Sequence, residues 1–176
     1  MAISASFKVC IFGDSGVGKT SLTYRYVSER FVQDTKSTIG VDIVAKDIKI
    51  RNYNIKLQIW DFGGEERFKS FLPIYSRGSS GGIYMYDITN VGSLDNIDQW
   101  LSLFRKNLIE GDIPILGVGG KSDLIYEREI SYDKAKFVAT QNEIYEIIEC
   151  SAKTGENIEK IFESITIKML RNARLI

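Results

Sequence analysis

Gly13-Asp14-Ser15-Gly16-Val17-Gly18-Lys19-Thr20 closes the apolar run 7–13 and leads into a helical stripe. The octet meets GxxxxGK[ST] at every fixed position, in the strand-to-helix setting that the motif requires. Its glycines let backbone N–H groups converge on phosphate oxygens without a Cβ in the way, and a helix N-terminus adds a favourable dipole. Lys19 brings a cation to the β/γ oxygens, and Thr20 a hydroxyl for Mg²⁺. A glycine-rich turn with a solvated lysine is the plain alternative, and it leaves the coincidence of strand, loop and helix unexplained.

Outward from this loop the chain alternates. Short apolar runs occur at 7–13, 41–50, 55–61, 81–87, 115–119 and 144–150, bounded mostly by Gly, Asp or Asn. Helical periods lie between most of them: after Gly18, over 93–109, over 132–140 and over 158–170. In the second, Ser93 suits an N-cap, and Leu94, Ile97, Leu101, Phe104 and Leu108 recur on one face. Strands alternating with helices predict an α/β fold, with a mainly parallel sheet covered on both faces and ligands at the carboxyl ends of the strands. Only Arg51-Asn52-Tyr53-Asn54 separates two of the runs, too short for a crossover, so that pair is expected to be an antiparallel hairpin.

Composition narrows the chemistry. The 176 residues carry 23 Lys+Arg against 23 Asp+Glu, so no net field favours nucleic acid. Histidine is absent, which excludes Ser-His-Asp and Cys-His catalysis and HExxH metal sites within the chain. Cys10 and Cys150 stand far apart, form no CxxC pair and read as small buried residues of a protein in a reducing compartment. No repeat, linker or charge block divides the chain, so one domain over residues 1–176 and a monomer are expected. No apolar stretch spans a bilayer, Ala2 replaces the glycine that myristoylation needs, and the last residues hold no prenylation cysteine. A cytoplasmic protein is expected, with no membrane anchor in this chain and membrane association left open.

Two further loops follow predicted strands on the same side of the sheet, Gly120-Lys121-Ser122-Asp123 and Cys150-Ser151-Ala152-Lys153. Asp123 can accept from guanine N1–H and N2–H₂, a donor pair that adenine lacks, and the Ala152 N–H can donate to O6. With GDSGVGKT, TIGVD, KLQIWD, ERFKS, YDIT and ECSAKTGENI in order, the chain closely resembles the small GTPases of the Ras superfamily, the Rab branch in particular, over residues 7 to 170. The resemblance implies a small G domain with a six-stranded, mostly parallel sheet, about five helices, and a GTP/GDP switch with Mg²⁺ as cofactor. It also implies a part in signalling or vesicle trafficking.

By the same resemblance, Asp14, Ser15, Gly16, Val17, Gly18, Lys19, Thr20, Ser21, Thr38 and Gly64 bind phosphate. Thr20, Thr38 and Asp61 serve the metal, and Phe31, Lys121, Asp123, Ser151, Ala152 and Lys153 serve guanine. Lys19, Thr38, Gly64 and Glu65 form the catalytic set. An exchange factor, an activating protein and effectors are expected on switch I, residues 31–41, and switch II, residues 62–76. Thr38 as a loop hydroxyl, Asp61 as a strand-end cap and Phe31 as core are the bland alternatives. Trp60 and Tyr75 read either as core or as part of the aromatic patch that partners contact.

Three departures from the family pattern fall where chemistry or recognition is handled. Asp61-Phe62-Gly63-Gly64-Glu65-Glu66 stands for DTAGQE, which puts Glu65 in place of the glutamine that orients water and donates to the developing charge. An ionised Glu65 can only accept, so it must swing out or take a proton, and slow hydrolysis is expected. Gly120 replaces the asparagine of NKxD, which predicts looser nucleotide binding with guanine preference retained through Asp123. Ile43 replaces the phenylalanine of IGVDF, leaving Trp60 and Tyr75 of the surface triad. A hydrolase that cycles slowly and a GTP-dependent binding module with negligible unaided hydrolysis both fit.

Overall fold

The computed structural model of the chain describes residues 3–32, 37–108 and 113–176. Six strands, β1 (Ile3–Phe12), β2 (Val41–Ile50), β3 (Tyr53–Phe62), β4 (Gly81–Asp87), β5 (Ile115–Gly120) and β6 (Glu146–Glu149), form one sheet in the order β2-β3-β1-β4-β5-β6. β2 and β3 pair antiparallel and every other pairing is parallel. The hairpin is tighter than the sequence suggests. Tyr53 and Asn54 already pair with Ile50 and Lys49, leaving a two-residue turn in which Arg51 takes the left-handed conformation at φ 53.

Every residue of β4 and β5 is buried, as expected of central parallel strands covered on both faces. On one face α1 (Lys19–Ser28) and α7 (Ile158–Asn172) pack Leu22, Tyr26, Ile161, Phe162, Ile165 and Met169 onto Val9, Ile11, Ile59, Ile83 and Val118. The Tyr26 and Phe162 rings stack with centroids 3.8 Å apart and join those two helices. On the other face α3 (Leu72–Tyr75), α5 (Ile97–Arg105) and α6 (Tyr132–Gln141) cover Cys10, Phe12, Tyr84, Tyr86 and Ile147. Both cysteines are free and buried. No helix among the described residues is long and apolar enough to cross a membrane.

The described residues hold seven α-helices and a 3-10 turn at Ile125–Glu127, where about five helices were expected. Two short ones, α2 (Glu66–Lys69) and α3, are single turns without a long apolar stripe. The stripe over 93–109 is two helices, α4 (Val91–Asp95) and α5, divided at Asn96, and its expected end at 109 lies outside the described residues. Ser93 is not the N-cap. Asn90 caps α4 by accepting from the Gly92 amide at 3.1 Å, and Ser93 sits one turn inside, fully buried. Its Oγ accepts from the Asp87 amide at 2.9 Å and donates to the Asn90 carbonyl at 2.7 Å, which ties the end of β4 to the helix start. β6 is shorter than 144–150 because the Ile144 amide donates back to Ala139 at the exit of α6. Ser93→Ala would leave the buried Asp87 amide unpaired, so a loss of about 2 kcal/mol in urea unfolding is expected; a loss within scatter of zero would show that this amide finds another partner.

Candidate functional site

β1 lies where the strand order reverses, with β3 on one side and β4 on the other, and a crevice opens outside the carboxyl ends at such a point. A cavity of about 480 Å³ occupies it, lined by residues 15–21, Phe31, Ser37, Thr38, Phe62, Gly63, Gly64, Met85, Lys121, Asp123, Leu124, Ala152 and Lys153. Lys19 is buried, and its ammonium donates to the carbonyls of Gly13 at 2.9 Å and Asp14 at 2.7 Å. Burial pulls its pKa down to about 8, against the opposing pull of Asp61 and Asp14. A polyanion above the loop would stabilise that ammonium and offer it better acceptors than two carbonyls.

Beside Lys19, three segments distant in sequence bring oxygens together. Thr20 Oγ1 donates to Asp61 Oδ2 at 2.5 Å and lies 2.7 Å from Thr38 Oγ1. The second carboxylate oxygen, Asp61 Oδ1, is buried without a hydrogen-bond partner. Burial pushes the Asp61 carboxyl up to about 6, although Thr20 and Lys19 favour its ionised form. Two hydroxyls and one under-satisfied carboxylate fit Mg²⁺, which keeps several waters and takes few protein ligands beside a substrate's phosphates. Thr20, Thr38 and Asp61 are the residues that would hold it.

At the far end of the cavity, Ser151 Oγ donates to Asp123 Oδ1 at 2.6 Å while accepting from the Thr154 amide at 3.1 Å. Ser151 is fully buried behind Asp123 and aims the carboxylate rather than lining the cavity. The Lys121 ammonium pairs with Asp87 Oδ2 at 2.6 Å, while Asp87 Oδ1 accepts from the Thr89 amide and hydroxyl. Lys121 therefore contributes its stem to the wall, with Phe31 also lining the cavity. The Asp14 side chain turns away from it. Its two oxygens accept from Asn96 Nδ2 and Trp100 Nε1, each at 2.7 Å, so the phosphate loop is tied to the junction of α4 and α5.

The segments expected to move also meet here. The Gly63 amide donates to the Gly40 carbonyl at 2.8 Å, and a Cβ on Gly63 would stand 2.4 Å from the Thr38 carbonyl oxygen. A Cβ on Gly64 would stand 2.3 Å from the Ser15 amide nitrogen. Only glycine lets 63–64 touch both the 38–40 backbone and the phosphate loop. Glu65 does not line the cavity: its Oε2 lies 2.9 Å from Arg67 Nε in a partly exposed ion pair. Residues 33–36 of the expected switch I lie outside the described residues. Sequence reasoning missed Ser37, Phe62, Gly63, Met85 and Leu124 as lining residues. Leu124, next to the GKSD loop, carried a signal by position, whereas Met85 in an apolar strand carried none.

Fold and cavity together define a P-loop protein whose cavity runs from the phosphate loop to the loops after β5 and β6. The Ras family model matches residues 8–171, and the chain belongs to that family. It is similar to the Ras-related protein Rab-1 of Theileria parva, 45% identical over 160 residues that cover 90% of this chain and 72% of the relative. It is likewise similar to the GTP-binding protein ypt3 of Schizosaccharomyces pombe, 38% identical over 165 residues, 94% of this chain and 76% of the relative. Ras-related protein Rab-11C of Dictyostelium discoideum is 42% identical over 159 residues, 90% and 70% of the two chains. The chain is thus a Rab-like small GTPase of the Ras family.

Removing the Asp61 charge tests the cation site. Asp61→Asn is expected to weaken Mg²⁺-supported nucleotide retention by about 10–100-fold, the range typical of losing a partner that orients a metal's ligands. Retention with and without EDTA measures it; a variant as Mg²⁺-dependent as the parent would remove Asp61 from the site.

Proposed function

We propose that the chain is a GTP/GDP switch whose own hydrolysis of GTP is slow because Glu65 stands where the reaction needs an amide. One G domain spans the chain in this reading, and a part in vesicle trafficking accords with the Rab names of its relatives. The observation that carries the nucleotide reading is the single cavity that joins Lys19, Thr20, Thr38 and Asp123, with Asp61 buried behind it on the Thr20 hydroxyl. In it, the amides of residues 15–20 and the Lys19 ammonium bind the phosphates. Asp123, aimed by Ser151, accepts from the guanine edge, Ala152 donates to O6, and Phe31 and the Lys121 stem flank the base, with Lys153 at the rim. Mg²⁺ on Thr20, Thr38 and Asp61 would neutralise charge between the β- and γ-phosphates. Thr38 and the Gly64 amide report the γ-phosphate, so the segments around these two residues respond when it is present.

Hydrolysis needs a water held in line and a donor toward the developing charge. An ionised Glu65 supplies no donor, and the γ-phosphate repels it toward Arg67. An exposed ion pair contributes only about 0–1 kcal/mol, so Arg67 biases Glu65 without locking it away. The second reading, a GTP-dependent binding module that waits for a partner to complete its active site, is favoured by this same pair. Partners would meet Ile39, Ile43, Phe71, Ile74 and Tyr75, all exposed, around Trp60. Trp60 lies 6.1 Å from Tyr75 between ring centroids and pairs with Ile43 across the hairpin, so the missing phenylalanine leaves a flatter apolar patch.

Glu65→Gln is expected to raise single-turnover GTP cleavage about a hundredfold, the effect of one positioned group. An unchanged rate would sink the account of Glu65. Base recognition has its own measurement: ATP is expected to displace labelled GDP at least about a hundredfold less well than GTP, because adenine leaves Asp123 without donors. Equal competition would defeat it.

A further inference from the structure

We propose that Met85 is a positioning residue that pins the phosphate loop to the base loop through its terminal methyl, and so sets how fast nucleotide leaves. The inference rests on the reading that guanine nucleotide occupies the cavity. Met85 lies at 2% exposure in the core, near the end of β4, and yet its side chain lines that cavity. Its Cε reaches two backbones that hold opposite ends of a ligand. A Cβ on Gly120 would stand 2.6 Å from Met85 Cε, and a Cβ on Gly18 would stand 3.3 Å from the same atom. The Gly120 Cβ would also meet the Val17 carbonyl oxygen at 2.8 Å, so the base loop rests directly on the phosphate loop.

Absence of a side chain at position 120 and presence of the long, unbranched methionine at position 85 are thus two halves of one contact. Methionine suits it, since three rotatable bonds and a terminal methyl fill an irregular gap that a branched side chain would not reach. The packing there is apolar and buried, and loosening it frees the phosphate and base loops to part. A side chain added at 120 must displace both Met85 Cε and the Val17 carbonyl, so the part of its effect that comes from the methyl depends on what stands at position 85. Met85→Leu keeps the core volume nearly constant while withdrawing the Cε atom.

The test is a double-mutant cycle on release of fluorescently labelled GDP in Mg²⁺, chased with excess unlabelled GDP, with unfolding rate in urea followed in parallel. Gly120→Ala in the parent is expected to speed release about tenfold, the usual scale of a core overlap. In the Met85→Leu background the same substitution is expected to speed release by only about threefold, what remains being the overlap with the Val17 carbonyl, which no change at position 85 relieves. Met85→Leu alone is expected to quicken release several-fold while leaving the unfolding rate nearly unmoved. Equal effects of Gly120→Ala in both backgrounds would overturn the proposal. So would a Met85→Leu variant that unfolds faster but releases GDP normally, since Met85 would then be core filling alone. Failure of the parent chain to bind labelled GDP would overturn the nucleotide reading itself, and is distinct from binding with additive release rates, which overturns only the role of Met85.

Discussion

A buried ammonium and a buried carboxylate stand side by side at the carboxyl ends of β1 and β3, and the architecture of the site follows from them. Desolvation works against both charges, drawing the Lys19 pKa down to about 8 and the Asp61 pKa up to about 6. Each is only partly compensated: Lys19 by two loop carbonyls, Asp61 by one hydroxyl, with Oδ1 left unpaired. A polyphosphate with a divalent cation supplies what both lack, negative charge over Lys19 and positive charge over Asp61. A site whose charges are satisfied by the ligand rather than by the protein binds that ligand strongly and is stabilised by it.

The surrounding scaffold keeps these two charges and the loops in place by contacts that are not themselves polar recognition. Asp14 anchors the phosphate loop to Asn96 and Trp100, and Asn96 is the point where α4 gives way to α5. Ser93 holds the end of β4, from which Asp87 orients Lys121. Ser151 orients Asp123. Gly63 and Gly64 let the 62–64 backbone lie against both 38–40 and the phosphate loop, so the three segments are packed as one unit. The Glu65–Arg67 pair sits just beyond that junction.

How much of this was legible in the chain differs residue by residue. The phosphate loop was readable because its eight residues are consecutive and its glycines, lysine and threonine each have a local reason to be there. The hairpin was readable from its short connection, though its two-residue turn needed the register. Ser93 was misread as a cap because serine at the head of an apolar stripe is a local signal, and burial against β4 is not. Asp14 belonged to a motif that binds phosphate through backbone amides, and nothing local shows that its side chain is engaged elsewhere. Met85 was silent for the opposite reason: methionine in an apolar strand is ordinary core, and its closeness to Gly120 depends on the β4–β5 register.

Hydrophobic period, glycine placement and residue type along the chain determined the alternating elements, the parallel sheet and the chemistry available to each loop, because those properties act over a few neighbouring residues. Which oxygens meet Thr20, which side chain aims Asp123, where Asp14 and Glu65 point, and what lies against Gly120 were decided only by the tertiary structure. These contacts join residues that are from 2 to 103 positions apart, and in all but the nearest of them strand order, not sequence, sets the distance.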